Sequence, residues 1–162
     1  RMPAPQIEAV DVNQMVHEVA QLFQGQLNRD SGKIRAELNL GDVPLVSGDP
    51  ALLRRVVENL VLNAVDAMPK GGALIFRTFT AEKFVVFELA DTGAGLTEEE
   101  CGRLFTPYYT TKQHGTGLGL AIVQSVVSDH HGRISVSSRK DEGTTFHVEL
   151  PTWAGPVYET VG

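Results

Sequence analysis

A single cysteine, Cys101, occurs in 162 residues, so no disulfide can form within the chain. That suits a reducing compartment. Aromatic residues are scarce, at 7% against 42% hydrophobic residues in all, which is ordinary for a soluble globular domain. No apolar run approaches the roughly 20 residues of a membrane span, and no signal peptide opens the chain. The expectation is a cytoplasmic domain whose parent protein is free to carry a membrane anchor elsewhere. Positive charge is in deficit: the net charge of −6 argues against a general nucleic-acid surface. Any phosphate site must therefore come from local geometry. The Gly-x-x-x-x-Gly-Lys signature is missing, because Gly32-Lys33 lacks the earlier glycine. The dinucleotide pattern also fails, because Leu120 stands where its last glycine belongs. There is no internal repeat and no low-complexity tract.

Residues 1–10, with two prolines, read as a linker from an upstream segment. Asp11 suits a helix cap, and Val12, Met15, Val16, Val19, Leu22 and Phe23 recur at helical spacing to about Asn28. Residues 33–40 alternate as a strand. Asp49 and Pro50 start a second helix that is expected to reach Met68 and stop at Pro69-Lys70-Gly71-Gly72. Residues 73–80 and 84–91 read as a hairpin. Thr97 and Glu100 have capping-box spacing for a short helix. Residues 106–114 lack any period and read as a long loop. Leu118 to His131 reads as an amphipathic helix with Gly132 as its C′ residue. Two more strands, 133–138 and 144–150, follow, and residues 152–162 read as a tail. The grouping predicts an α+β fold, a two-layer sandwich of one mixed β-sheet with helices on one face and a lid loop. The folded domain spans residues 11–151, and the fragment is expected to be monomeric.

Four motifs carry the chemistry. Asn59 and Asn63 are four apart and share a helix face, with Asp66 near the same stripe and Leu53, Val57, Leu60 and Ala64 on the opposite one. Two amide oxygens in line suit Mg²⁺, a hard cation, when a triphosphate supplies the negative charge. Asp91 ends a strand before Gly93 and Gly95. An ionised carboxylate only accepts hydrogen bonds, so it would pair with the exocyclic amine of adenine and oppose the carbonyl of guanine. The two glycines permit positive φ and close backbone approach to a flat base. Phe105 precedes a loop carrying Thr110, Thr111 and Lys112; the phenyl ring suits an anchor and the lysine a phosphate. Gly115, Thr116, Gly117, Leu118 and Gly119 precede a helix, where bare N–H groups cradle phosphate. Each motif alone is weak. The ordered set is strong evidence for ATP binding.

This set resembles the catalytic ATP-binding domain of sensor histidine kinases, in the superfamily shared with gyrase, the Hsp-ninety chaperone and MutL (the Bergerat-type fold). Glu58 to Ala64 resembles the N box, Asp91 to Gly95 the first glycine box, Phe105 to Tyr108 the F box and Gly115 to Leu120 the second glycine box. Gly143-Thr144-Thr145-Phe146 resembles the closing strand, with Thr145 counted among the nucleotide contacts. The Tyr-Thr-Thr-Lys run looks most like kinases of the nitrogen-regulation type. The resemblance implies a lid over residues 96–116 and Mg²⁺ held through Asn59 and Asn63. It also implies transfer of the γ-phosphoryl group of ATP to a histidine on a separate dimerisation domain of a homodimeric parent. A response regulator would then take the phosphate onto an aspartate.

His17-Glu18 copies the first two letters of the phosphoacceptor motif, but no proline follows and the helix belongs to the ATP domain itself. The acceptor histidine is thus expected outside this chain. His130 and His131 point to different helix faces and read as complements to a helix dipole rather than metal ligands. Three rival readings share the pocket. An ATP-hydrolysing clamp would need a water-activating glutamate where Asn59 stands, and Glu58 is turned about 100° away. A non-catalytic pocket would only bind a partner. A protein-serine kinase of the anti-sigma type shares the boxes but not the Phe-x-Pro-Tyr loop.

Overall fold

The computed structural model describes residues 4–30, 34–106 and 119–154. In chain order the elements are β1 (Glu8–Val10), α1 (Val12–Asp30), β2 (Ile34–Leu40), β3 (Val46–Gly48), α2 (Pro50–Asp66), β4 (Gly72–Ala81), β5 (Phe84–Asp91), α3 (Glu98–Arg103), α4 (Gly119–Asp129), β6 (Arg133–Arg139) and β7 (Gly143–Pro151). Five strands form one sheet in the order β2-β4-β5-β7-β6, parallel only between β2 and β4. Helices α1, α2 and α4 cover one face, as the strand and helix pattern requires.

The core lies between these layers. Leu74 and Phe76 of β4, Val85, Phe87 and Leu89 of β5, and Phe146, Val148 and Leu150 of β7 point inward at alternate positions. Leu53, Val57, Leu60 and Ala64 of α2 are buried against them, the stripe expected from helical spacing. In α1 the buried stripe is Val12, Met15, Val16, Val19, Ala20 and Phe23. Leu22 is exposed instead, because it sits a turn of the wheel away from that seam and Ala20 takes the inward place.

Local signals explain the helix starts. Asp11 Oδ1 accepts the Gln14 N–H at 3.0 Å. Asp49 caps α2 by accepting from the N–H groups of Ala51 and Leu52, and Pro50 follows in the first turn. Thr97 and Glu100 complete a reciprocal capping box on α3. Helix α2 ends at Asp66 rather than Met68: Ala67 is its cap, and the Ala67 carbonyl accepts the Ala94 N–H instead of continuing the helix.

At the end of α4 the left-handed residue is His131 (φ 59°), not Gly132. Gly132 is needed for a different reason, since a Cβ there would lie 2.2 Å from the Glu149 carbonyl. His130 is 2% exposed. Its Nε2 accepts the Asp49 N–H at 3.0 Å, which places the proton on Nδ1, and Nδ1 donates to the Val126 carbonyl at 2.7 Å. The ring is therefore a neutral staple between α4 and the start of α2, not a cation complementing a dipole. A second, two-stranded sheet, β1 with β3, went unforeseen; β1 falls inside the stretch read as linker. Thr152 and Trp153, in the stretch read as tail, pair with Val46 and Leu45.

Candidate nucleotide site

Asp91 ends β5 and is 6% exposed. Strand alternation turns it to the helix-covered face, in line with Val85, Phe87 and Leu89. Its Oδ1 accepts the Gly93 N–H at 2.9 Å. Burial pushes the carboxyl above the usual carboxylate range, and the N–H groups of Gly93 and Thr144 oppose that rise without cancelling it. No charged group is among the causes of that shift.

The two glycines beside it are held against the protein's own backbone. A Cβ on Gly93 would lie 2.3 Å from the Ala67 carbonyl, and one on Gly95 would lie 1.9 Å from the Arg139 carbonyl. Positive φ applies to Gly95 (69°) and not to Gly93. The close approach expected toward a ligand is thus, in the structure, an approach to the end of α2 and to the β6–β7 turn. Thr92 adds a further tie, accepting the Ala73 N–H at 2.9 Å.

Asn59 and Asn63 are half-buried on one face of α2, which packs against both β5 and α4. Among the described residues neither amide has a hydrogen-bonding partner, so both retain their oxygen for a ligand. Asp66 is exposed at the last position of the helix. Glu58, beside Asn59, is occupied elsewhere: its Oε1 accepts from Arg54 Nε at 3.0 Å, and Arg54 also pairs with Glu18 of α1. No cluster of three His, Cys, Asp or Glu able to hold a metal by itself occurs among the described residues.

Phe105 follows α3 and is half-buried, its ring edge-on to Phe146 at 6.5 Å between centroids. Gly119 opens α4 with nothing near its Cα for a Cβ to meet. Thr111, Lys112, Gly115, Thr116, Gly117 and Leu118 lie outside the described residues.

Thr145 requires a correction. It pairs with Ala90 and stands on the open face of the sheet, away from Asp91. The neighbour that shares the Asp91 face is Thr144, which pairs with Asp91 itself and is buried. Counting from the motif places both threonines in the box, and only the register decides which one faces inward. Two further residues were missed. Ser138 bonds Thr144, Gly143 and Leu96 at once. Gly143 has φ 103°, and a Cβ on it would lie 2.0 Å from the Asp91 carbonyl. An Asp-x-Gly turn followed later by Gly-Thr was the available signal for the glycine; nothing in the sequence singled out the serine.

Residues 48–154 match the family described as Histidine kinase-, DNA gyrase B-, and HSP90-like ATPase. The chain belongs to this family. Among curated relatives it is 37% identical over 146 residues to sporulation kinase E of Bacillus subtilis (strain 168), covering 89% of this chain and 20% of that protein. It is 35% identical over 145 residues to sensor histidine kinase ZraS of Escherichia coli (strain K12), covering 90% and 31% respectively. The chain therefore spans about a fifth to a third of the curated relatives it matches. Among solved structures, the catalytic domain of histidine kinase ThkA aligns with a TM-score of 0.82 at 27% identity, over 91% of this chain and 96% of that one. Full-length ShkA in complex with AMPPNP also aligns at 0.82, with 26% identity, over 94% and 33%.

Proposed function

We propose that this chain is the catalytic module of a sensor histidine kinase, holding Mg-ATP and presenting its γ-phosphoryl group to a histidine on the parent's dimerisation domain. The observation that carries the reading is Asp91, a buried carboxyl at the end of β5 whose raised pKa has no charged group among its causes, among the described residues. The exocyclic amine of adenine is a donor that its remaining lone pairs would accept, and guanine would bring a carbonyl instead. Asn59 and Asn63 are the residues that would hold Mg²⁺. Neutral amide oxygens suit a hard cation that arrives with the triphosphate, and the metal would supply charge neutralisation there. Gly93, Gly95 and Thr92 fix the floor beside the base. Beyond Phe105, Thr111 and Lys112 are assigned to the phosphates, with Gly115 to Gly119 as the N–H cradle. The kinases named above, and the AMPPNP bound to ShkA, support the assignment by similarity.

The hydrolytic clamp is disfavoured by one specific contact. Among the described residues the glutamate next to Asn59 is Glu58, and it is spent on Arg54. Catalysis on this reading is positioning and electrostatic stabilisation rather than activation of water. A response-regulator receiver domain would accept the phosphate downstream.

The test uses ATP labelled on its γ-phosphate, this chain, and the parent's dimerisation segment. The expected product is acid-labile, base-stable phosphohistidine on the segment and none on the chain. Labelling of the chain itself, with exposed His17 as the first suspect, would overturn the assignment. Steady phosphate release without an acceptor would revive the hydrolase.

A further inference from the structure

The two ends of the sheet are tied to the helices by different bonds. At the Asp91 end, the Ala67 carbonyl at the close of α2 accepts the Ala94 N–H. Strand β7 runs from Thr144 at that end to Pro151 at the other, where Arg133 faces Glu149 and Val46 bridges Thr152. There the start of α2 meets the close of α4 through Asp49 and His130. Helices α2 and α4 pack on each other, so they run antiparallel and Gly119 is directed back toward the Asp91 end. At about 1.5 Å per residue, the path from His130 to Gly119 covers about 16 Å. Counted along α2 from Asp49, that distance reaches Leu60, between Asn59 and Asn63. The far end of α4 therefore sets where its first residue stands against the two amides.

The helices bury apolar and repetitive side chains. Helix α4 buries Val123, Val126 and Val127, and α2 buries Val56, Val57, Leu60 and Val61 among others. Like side chains repeated at one-turn spacing hold two helices together but choose weakly among axial registers. A single buried polar contact chooses strongly, since a slide would strand it. His130 is that contact. Its buried ring is fixed to its own helix, because Nδ1 donates to the Val126 carbonyl at 2.7 Å. Its Nε2 accepts the Asp49 N–H at 3.0 Å. The Asp49 carboxylate is engaged elsewhere: Oδ1 accepts from Ala51 and Leu52, and Oδ2 from Gln6. Gly48 clears the approach, since a Cβ there would lie 3.2 Å from His130 Cδ2. We propose that His130 is a positioning residue for the triphosphate: it locks the axial register of α4 on α2, so that the N–H groups opening α4 stand beside Asn59 and Asn63. This rests on the nucleotide reading above, in which Gly115 to Gly119 cradle phosphate. Asp91 lies on β5 and not on α4, so purine binding is independent of the lock.

The experiment is a titration of this chain with Mg-ATP and with adenosine, before and after His130→Phe. Phenylalanine fills the space of the ring and removes the acceptor. Wild type is expected to prefer Mg-ATP. In the variant, Mg-ATP binding should weaken about tenfold, the scale of one hydrogen bond. Adenosine binding should change by less than about twofold. His130→Gln, which keeps an acceptor near the Nε2 position, should restore the preference. A histidine that merely braces the fold would weaken both ligands in parallel, or neither; either result overturns the proposal. If His130→Phe does not fold, the wild type carries the same test, because coupling is reciprocal. Each ligand is then added at the same multiple of its Kd, so that stabilisation by mass action is equal. Mg-ATP should slow hydrogen exchange at the Asp49 amide about tenfold more than adenosine does. Equal slowing by the two ligands overturns the proposal. A wild-type chain that binds Mg-ATP no better than adenosine would bring down the phosphate cradle first, and this inference with it. A wild type that prefers Mg-ATP, with a His130→Phe variant that keeps the preference, sinks this inference alone.

Discussion

Strands β5 and β7 carry polar groups on both faces, and residues one step apart live in different electrostatic worlds. On the helix-covered face stand Asp91 and Thr144, both buried. On the open face the same strands bring Glu88, His147 and Glu149 together, with Arg77 of β4 opposite Glu88 and Arg133 of β6 opposite Glu149. His147 bonds Glu88 at 2.8 Å and Glu149 at 3.2 Å. The open-face cluster satisfies itself: the His147 ring joins both carboxylates, one at each ring nitrogen. In the buried pair, Asp91 accepts backbone N–H groups and has no charged partner among the described residues. The proposed site therefore lies where a carboxyl is desolvated, not where charges are most numerous.

The sharpest way to break that contrast is Asp91→Asn. The fold raises the Asp91 pKa, so the stability tied to its neutral form is complete below the ordinary carboxylate value. It is lost as pH rises through the raised value, and above the ordinary carboxylate value the buried carboxyl burdens the fold. Asparagine is neutral, and its carbonyl can still accept the Gly93 N–H. The apo melting temperature at pH 7 should hold or rise. ATP affinity should fall at least about 100-fold, because the new amide would confront the adenine amine donor to donor. Calorimetric titration with parallel melting curves checks both halves. A variant that binds ATP normally would show that the buried acceptor is not the selector. A variant that melts lower would show that it is not a burden.

Next in size is Gly143→Ala. Gly143 holds a left-handed conformation, and a Cβ would press on the Asp91 carbonyl. Relief would require moving the strand end that carries the carboxylate. A loss of about 2–3 kcal/mol is expected, or roughly 5–10 °C in melting temperature. Saturating ATP should recover less of that loss than it would in a variant strained far from the site. Thermal melts with and without nucleotide measure it. An unchanged melt would mean that the hairpin yields freely and that the two strands do not share one rigid seat.

Much of this was legible in the sequence because the signals were local. Asp49-Pro50 and Thr97-x-x-Glu100 announced their helices, and apolar alternation gave the strands of the hairpin almost residue for residue. The four boxes placed Asn59, Asn63, Asp91 and Phe105 on the elements where they are found. What stayed hidden depends on pairing across the chain. The choice between Thr144 and Thr145 is a matter of register, and a one-residue slip inverts the face. The β1–β3 pair is too short for any periodicity to show. His130 reads as an ordinary helix-end histidine until Asp49, far off in sequence, is seen to donate to it. Gly93 and Gly95 were read as facing a ligand, whereas the space they leave is filled by the backbone of Ala67 and Arg139.

The open face supplies the smallest and most selective test. Burial alone would lower the His147 pKa, but hydrogen bonds and charge from Glu88 and Glu149 outweigh it and hold the imidazolium above its usual range. A raised folded-state value means that the stabilisation is complete below the ordinary histidine value, near about 6.5. It fades as pH rises through the raised value. His147 is about a third exposed (30% of its side chain), so solvent screening limits the gain to about 0.5–1 kcal/mol. His147→Gln should therefore melt about 1–4 °C below wild type at pH 6. The two curves should converge once the pH has risen past that raised value. ATP affinity should be unmoved at either pH, since the ring sits on the face that Thr145 shares and Asp91 does not. A loss of nucleotide binding in this variant would mean that the two faces communicate through the strands between them, and the separation on which the site assignment depends would have to be withdrawn.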